Sequence, residues 1–264
     1  MAGFLLIAAS LVLAPAAEAR NARKAHAAQS TASRQILNVR SAVLMDARTG
    51  KILYSQNPDV RIPPASLTKI MSMMVTFDAI RSGKVKLSDQ IRVSRRAARQ
   101  GGSRMGLRAG ERVSLNRLLM GMAVSSGNDA SMAVAERVGG SGRAFVKMMN
   151  NKARQIGMSS STFKTPNGLP AAGQYTTARD MARLGYVYLK NNPSALQYHR
   201  VRVLKHRGAV TTNKNPLLGA CPGADGLKTG WVTASGYNII STVRRGNTRL
   251  IAVILGADSA GLRS

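Results

Sequence analysis

The stretch that decides the fold is Pro63-Pro64-Ala65-Ser66-Leu67-Thr68-Lys69-Ile70-Met71. Proline fits the first turn of a helix, where the missing N–H would have no partner. The apolar residues from here onward recur at helical spacing and predict an amphipathic helix with Leu67, Ile70, Met71, Met74 and Phe77 on one side. Ser66 and Lys69 are three residues apart, so a helix places them on one face, about one turn apart. A hydroxyl beside an amine can be a nucleophile beside its base, provided that the amine is neutral.

The same spacing also has an ordinary interpretation, in which a serine opens a helix and a lysine lies in solvent. The chain supplies its own control, because Ser161 and Lys164 are also three residues apart and nothing around them indicates chemistry. The Ser66–Lys69 pair therefore needs support from elsewhere in the sequence.

Two further stretches give that support. Residues 124–129 read Val-Ser-Ser-Gly-Asn-Asp at a predicted loop-to-helix junction, and residues 225–230 read Asp-Gly-Leu-Lys-Thr-Gly on a predicted edge strand. Each is weak alone, because Ser-x-Asn is common at helix starts and Lys-Thr-Gly at strand ends.

The remaining patterns predict an α/β (α+β) fold. Strands are predicted at 42–46 and 52–54 around a turn at 47–50, and again at 225–229, 237–243 and 250–255, the last two joined by a hairpin at 245–247. Helices are predicted between these groups. We therefore expect an antiparallel sheet closed by the two terminal segments and flanked by helices, with an inserted, mostly helical subdomain.

Residues with short polar side chains mark the expected helix starts. Ser114 is predicted to cap a helix over 115–122, and Ser141 to open another that Gly157 ends. Asn128 or Asp129 is predicted to cap a helix running to residue 138, and Thr176 or Thr177 one that ends at 191–193.

The N-terminal segment reads as a secretory signal over residues 1–19. An apolar run from Phe4 to Leu13 precedes Ala17-Glu18-Ala19, which fits a small-x-small cleavage site, and the run is too short to span a bilayer comfortably. Residues 20–36 are small, polar and basic and predict a disordered leader. The folded domain is expected over 37–264, and the protein is expected to be exported, in the periplasm or associated with the cell wall.

The charge is strongly positive, with 39 Lys and Arg against 11 Asp and Glu and a net charge of +28. This predicts attraction to an anionic cell-wall polymer or membrane surface. No zinc-finger, RNA-recognition or basic-zipper pattern occurs, and the basic residues do not alternate with aromatic ones, so specific nucleic-acid binding is not expected.

No cofactor or metal is expected. The single cysteine, Cys221, excludes an internal disulfide and is interpreted as a structural thiol. The histidines have no ligand spacing, and no glycine-rich phosphate loop follows a strand. They are His26, His199 and His206.

The three motifs together, in the order Ser-x-x-Lys, Ser-x-Asn and Lys-Thr-Gly, resemble the signature of penicillin-binding proteins and serine β-lactamases. The chain more closely resembles the D-alanyl-D-alanine carboxypeptidases, low-molecular-mass penicillin-binding proteins of serine peptidase family S11. The resemblance runs from about residue 42 to residue 263. It includes residues 64–69, 126–130, 173–175, 178–181 and 226–230.

The resemblance implies roles for three catalytic residues. Ser66 would attack the carbonyl of the penultimate D-alanine of a peptidoglycan stem pentapeptide and form an acyl-enzyme. Lys69 would be the general base, with its pKa lowered by burial and by Lys228 as a second cation. Ser126 would pass the proton to the leaving amine.

Substrate binding is implied for a second group. Asn128 would hold Lys69 and the substrate amide, and the backbone N–H groups of Ser66 and Trp231 would form the oxyanion hole. Lys228, in its motif with Thr229 and Gly230, would bind the terminal carboxylate, with Thr229 and Arg263 as weaker contacts.

Several functions remain open beside the expected carboxypeptidase, which β-lactams would acylate. A class A β-lactamase uses a glutamate for deacylation, and the chain has glutamate only at 18, 111 and 136, none of them between Asn150 and Lys228. A DD-endopeptidase acting on cross-links shares the same chemistry. A catalytically idle wall-binding module is disfavoured by the intact motifs. Many family members add a β-rich C-terminal domain and a membrane anchor, whereas this chain ends at Ser264, so a catalytic module without that domain is expected.

Overall fold

The main sheet of the protein is antiparallel and has the strand order β2-β1-β9-β8-β7. The structure, a computed structural model, describes residues 36–263. In chain order its first elements are β1 (Ser41–Asp46), β2 (Ile52–Gln56), α1 (Thr68–Arg81), β3 (Gln90–Arg92), α2 (Arg95–Ala98), β4 (Arg112–Ser114), α3 (Leu115–Ala123), α4 (Asn128–Gly139) and α5 (Gly142–Gln155). They are followed by α6 (Ala178–Asn191), α7 (Leu196–His199), β5 (Val203–His206), β6 (Ala209–Thr212), β7 (Ala224–Val232), β8 (Gly236–Arg245) and β9 (Thr248–Ala257).

The two terminal groups of strands close the sheet, as the sequence predicts. β1 pairs with β9, with Val43 opposite Val253, and β8 and β9 form a hairpin. β7 is an edge strand, which agrees with the prediction for the Lys-Thr-Gly motif. It is longer than predicted because its pairing with β8 continues through Trp231 to Val232.

Helix α1 lies at the centre of the molecule, and the prediction that it is amphipathic was wrong. Every residue from Thr68 to Thr76 is buried, because α4, α5 and α6 all pack against this helix. Two of its polar side chains are accommodated by hydrogen bonds to carbonyl oxygens. Ser72 Oγ donates to Pro166 O at 2.6 Å, and Thr76 Oγ1 donates to Ser72 O at 2.8 Å.

Three of the predicted helix caps are confirmed. The side chains of Ser114, Ser141 and Thr177 accept hydrogen bonds from the backbone N–H groups three residues onward. These caps fix the starts of α3, α5 and α6.

The fourth predicted cap was wrong. Gly127 occupies the N-cap of α4, and neither Asn128 nor Asp129 caps it. The Asp129 carboxylate instead accepts the N–H groups of residues 105, 106 and 107, at 2.8–3.0 Å. Asp129 therefore ties α4 to the loop that follows α2, and its neighbour Asn128 remains available for other contacts.

The small hairpins β3–β4 and β5–β6 were not predicted, because their strands have only three or four residues each and at least half of these are polar. Within residues 36–263 no helix combines the length and the apolar character that crossing a membrane requires. The predicted signal at 1–19 and nearly all of the leader at 20–36 lie outside the described residues.

Candidate active site

Ser66 lies in a short 3₁₀ turn, Ala65–Leu67, immediately before α1. Ala65 has a φ of 48°, an uncommon conformation for a residue with a side chain. Gly168, with a φ of 85°, packs directly against it, and a Cβ at position 168 would overlap the carbonyl oxygen of Ala65. The turn that presents Ser66 therefore requires glycine at position 168.

Lys69 is fully buried and faces Ser66 across one helical turn. Its Nζ lies 2.9 Å from Ser66 Oγ, 2.7 Å from Asn128 Oδ1 and 2.7 Å from the main-chain oxygen of Asn167. Asn128 Nδ2 donates to Gly101 O at 2.7 Å, which fixes the orientation of the amide and points its oxygen at Lys69.

This arrangement fits a neutral amine. The oxygens of Asn128 and Asn167 can only accept, so they take the two hydrogens that a neutral Nζ carries. The lone pair of Nζ is then free to accept the hydrogen of the Ser66 hydroxyl. The geometry thus provides a hydroxyl that is already hydrogen-bonded to a base.

The electrostatics of the site favour the same state. Burial, followed by the charges of Lys228 and Lys214, lowers the pKa of Lys69 well below its usual value, while Asp129 acts in the opposite direction. Burial likewise lowers the pKa of Lys228 to about 7, with further contributions from Lys214 and Arg263. Lys228 is thus only partly charged at neutral pH, and burial is the larger cause of the depressed pKa of Lys69.

Strand β7 brings the third motif against the turn at Ser66. A Cβ on Gly230 would lie 2.9 Å from the backbone nitrogen of Ser66, so the strand and the turn are in close contact there. Lys228 is buried, and its Nζ donates to Thr229 O at 3.0 Å. Thr229 Oγ1 reaches the main-chain oxygen of Lys214 at 3.5 Å.

Ser126 lies on the segment between α3 and α4, two residues before Asn128. It is buried and has a φ of 56°, so a strained backbone holds its side chain in place. Among residues 36–263 its hydroxyl makes no hydrogen bond to protein, which leaves it available to a substrate.

Arg263 lies at the margin of this group. Its guanidinium stands over the ring of Tyr237, 5.7 Å from the centroid, and that ring is 6.2 Å from the ring of Trp231. The positive charge of Arg263 contributes to lowering the pKa of Lys228.

A cavity of about 320 Å³ opens beside Ser66. Its lining includes Ser103, Asn128, Asn167, Leu169 and Trp231. Trp231 is 55% exposed and forms part of the rim. Within the described part of the chain, no cluster of three or more histidine, cysteine or acidic side chains could hold a metal ion.

Three residues of this site were not predicted: Asn167, Gly168 and Lys214. Asn167 contributes a main-chain oxygen, which any residue type provides, so the sequence carries no signal for it. The Asn-Gly pair at 167–168 is a recognisable turn signal and could have pointed to Gly168.

Comparison with known proteins decides the family. The sequence profile of peptidase S11, D-alanyl-D-alanine carboxypeptidase, matches residues 27–259. The chain belongs to this family. Its resemblance to the family, inferred from the motifs, is thereby confirmed.

Family members similar to the chain include DacF of Bacillus subtilis, 41% identical over 226 residues, which are 83% of this chain and 58% of the relative. DacC of Escherichia coli is 38% identical over 246 residues, which are 90% of this chain and 62% of the relative. Both are D-alanyl-D-alanine carboxypeptidases. The chain spans about three fifths of the length of these curated relatives.

Solved structures confirm the fold class. Penicillin-binding protein 6B from Escherichia coli superposes with a TM-score of 0.85 at 38% identity, covering 89% of this chain and 76% of its own. Penicillin-binding protein D2 from Listeria monocytogenes, in its ampicillin-bound form, superposes with a TM-score of 0.75 at 30% identity. The match covers 87% of this chain and 93% of that protein.

Proposed function

We propose that the chain is a serine-type D-alanyl-D-alanine carboxypeptidase, which removes the terminal D-alanine from peptidoglycan stem pentapeptides. The observation that carries the proposal is the buried Lys69 Nζ, held between Ser66 Oγ and two carbonyl oxygens. The family membership supports the reaction type.

The first half of the reaction is acylation. Ser66 Oγ attacks the carbonyl carbon of the penultimate D-alanine while Lys69 takes the hydroxyl proton. The backbone N–H groups of Ser66 and Trp231 stabilise the oxyanion, supported by the close approach of β7 to the turn at Ser66. The C–N bond then breaks, Ser126 passes a proton to the amine, and D-alanine leaves.

Deacylation restores the enzyme. Water attacks the ester carbon with Lys69 as the base, and the oxygen of Ser66 regains its proton as the shortened peptide departs. Removing one oxyanion donor typically costs about 10²–10³ in rate, so small displacements of β7 are expected to matter.

Lys228 and Thr229 are assigned to the terminal carboxylate of the substrate, and Gly230 to the close packing that lets the strand approach. Asn128 holds Lys69 and contacts the substrate amide. Arg263 is a weaker candidate for carboxylate binding, because it lies over Tyr237. Its effect on the charge of Lys228 supports an indirect role.

The test is a labelling gel with a fluorescent penicillin, followed by measurement of D-alanine release from a pentapeptide. We expect one covalent adduct per chain and stoichiometric release of D-alanine. Penicillin-binding protein D2 has been solved with ampicillin and with cefotaxime, which supports β-lactams as ligands of this chain too. Labelling without D-alanine release would contradict the proposed reaction but leave the assignment of Ser66 as the nucleophile intact.

DD-endopeptidase action is a second candidate. A D-alanyl-D-alanine endopeptidase of Pseudomonas aeruginosa is 37% identical over 145 residues, which are 54% of this chain and 45% of that protein. A cross-linked stem-peptide dimer separates the two activities, because only an endopeptidase converts it to monomers. Rapid β-lactam hydrolysis is not proposed, since no glutamate lies between Asn150 and Lys228.

We further propose residues 37–264 as the catalytic domain of an exported protein, periplasmic or associated with the cell wall. The described residues from Leu37 onward cluster as one unit by their internal contacts, which supports the start of this domain. The net charge of +28 supports contact with anionic wall polymer or membrane surface. Such binding should weaken steeply with added salt, whereas turnover of a small peptide should change much less.

A further inference from the structure

A second cavity of about 370 Å³ adjoins the one that contains Ser66. The two cavities share Asn167 and Leu169 in their linings. Asn167 Nδ2 donates to Gln100 Oε1 at 2.9 Å, so these two side chains form a ridge between the cavities. A ligand that extends from the first cavity across this ridge would reach the second.

The second cavity, here called the basic cleft, is lined by three cations: Arg96, Arg143 and Lys164. They come from three separate parts of the fold, namely α2, the first turn of α5 and the loop after α5. All three are exposed, and within residues 36–263 none of them forms an ion pair. The lining contains no acidic residue. Three positive charges thus line one concave site without an acidic residue in its lining.

Two features suit the basic cleft to a small anionic group on a peptide. A Cβ on Gly142, the first residue of α5, would lie 4.0 Å from the guanidinium of Arg96, so this cation stands at a helix N-terminus, where the helix dipole also favours negative charge. Met132 and Val146 add an apolar surface. A charged group with a short apolar stem matches this lining.

We propose that the basic cleft binds a carboxylate carried by the substrate peptide on the acyl side of the scissile bond. The inference rests on the proposed function and adds to it a binding site for one charged group of the substrate peptide. The continuity of the two cavities favours a group of the substrate itself over a separate polymer.

The test uses two N-acetylated peptides that end in D-alanyl-D-alanine and differ only upstream, where one has glutamate and the other glutamine. Wild-type protein is expected to show a lower KM for the glutamate peptide, with similar kcat for both. The double variant Arg143→Gln, Lys164→Gln should raise KM for the glutamate peptide about fivefold and leave the glutamine peptide unchanged, because each exposed charge pair contributes modestly. Arg143→Glu should reverse the preference.

A matched control removes two exposed lysines far along the chain from the lining residues, Lys51→Gln with Lys205→Gln. This control lowers the net charge equally and should preserve the discrimination between the peptides. Equal KM for both peptides in the wild type, or loss of discrimination in the control as well, would overturn the proposal. So would a double variant that loses binding to a glycerol-phosphate polymer while its peptide kinetics stay unchanged, since the basic cleft would then be a polymer contact.

Labelling by penicillin, which carries no such peptide, separates this inference from the proposed function. Wild-type protein that is neither labelled nor active on either peptide contradicts the proposed function itself. Protein that is labelled and hydrolyses both peptides equally contradicts only the assignment of the basic cleft.

Discussion

Ser66–Lys69 and Ser161–Lys164 have the same sequence spacing and very different surroundings. In the first pair the lysine is fully buried, with its Nζ 2.9 Å from the serine oxygen. In the second, Ser161 Oγ donates to Asp180 Oδ2 at 2.7 Å, and Lys164 is exposed. The first pair spans the start of a helix, whereas the second lies in a turn-rich segment without helical geometry.

The difference shows what turns a serine–lysine pair into a nucleophile and its base. Helical geometry aims the amine at the hydroxyl, and burial removes the charge from the amine. A neutral amine can accept the hydroxyl proton, so the hydrogen bond of Ser66 prepares its oxygen for attack, while that of Ser161 to Asp180 stabilises a loop.

The largest expected effect comes from removing each serine in turn. Ser66→Ala should lose penicillin labelling by a factor of at least about 10⁴, because the attacking oxygen is absent. Ser161→Ala should label at the wild-type rate. Mass mapping of the adduct checks the assignment, with circular dichroism as the control for folding. An adduct on Ser161 or Cys221 would refute the role of Ser66.

The next effect concerns the base. Lys69→Arg places a permanent positive charge where the amine is neutral and cannot release its proton at neutral pH, so acylation should fall about 10²–10⁴-fold. In the wild type the lowered pKa of Lys69 leaves the amine neutral above that pKa, so the acylation rate should rise with pH and then level off. Stopped-flow acylation across the pH range measures both. Substantial acylation by Lys69→Arg at neutral pH would transfer the role of base to another group.

A smaller effect is expected from disturbing only the turn that presents Ser66. Gly168→Ala forces a methyl group into the carbonyl of Ala65, and a displacement of about 1 Å at the nucleophile can cost about 10² in rate. Gly83→Ala is the matched control, because Gly83 also has a positive φ, 73°, but has no atom within 4 Å of the added Cβ. It should lower the free energy of unfolding by about 1–2 kcal/mol and leave acylation unchanged. Equal acylation by the two variants would show that the turn at Ser66 tolerates movement.

The smallest effect concerns the free energy of unfolding, and it compares a buried lysine with an exposed one. The pKa of Lys228 is about 7 when folded, below the value of about 10.4 expected when unfolded. Between these values the unfolded chain binds more protons, so the free energy of unfolding should rise with pH across this window.

Lys228→Met should reduce that rise, because the replacement has no proton to lose, while Lys69, whose pKa is also lowered, retains its own contribution. Lys205→Met, at an exposed position, should retain it. Urea unfolding at pH 7 and pH 10 provides the measurement. Identical pH dependence in the wild type and Lys228→Met would mean that Lys228 keeps its proton when buried.

Much of the site follows from local patterns in the sequence, and the remainder depends on contacts between distant segments. The spacing of Ser66 and Lys69 fixes their relation once a helix is predicted, and short polar residues mark three helix starts. Asn167 contacts Lys69 across 98 residues through its main chain, which leaves no trace in residue type.

Asn128 and Asp129 also show that contacts between distant segments can override a local sequence pattern. Their side chains are typical of helix caps. Instead, Asn128 accepts a hydrogen bond from Lys69, and Asp129 accepts the N–H groups of residues 105–107. Lys214 was missed because it belongs to no motif. It is exposed and reaches the site through a long side chain that donates to Ser103 Oγ at 2.8 Å.

The strand order has a consequence for how the chain folds. β9 is the last strand in sequence, yet it lies at the middle of the sheet, between β1 and β8. Until it is in place, the β1–β2 and β7–β8 hairpins are separate ribbons with unpaired inner edges, and joining them requires closing a loop across nearly the whole domain. Such non-local pairing makes folding slow and late. The main sheet cannot close before β9 has been synthesised, which is compatible with transport across a membrane before folding, in line with the export proposed above.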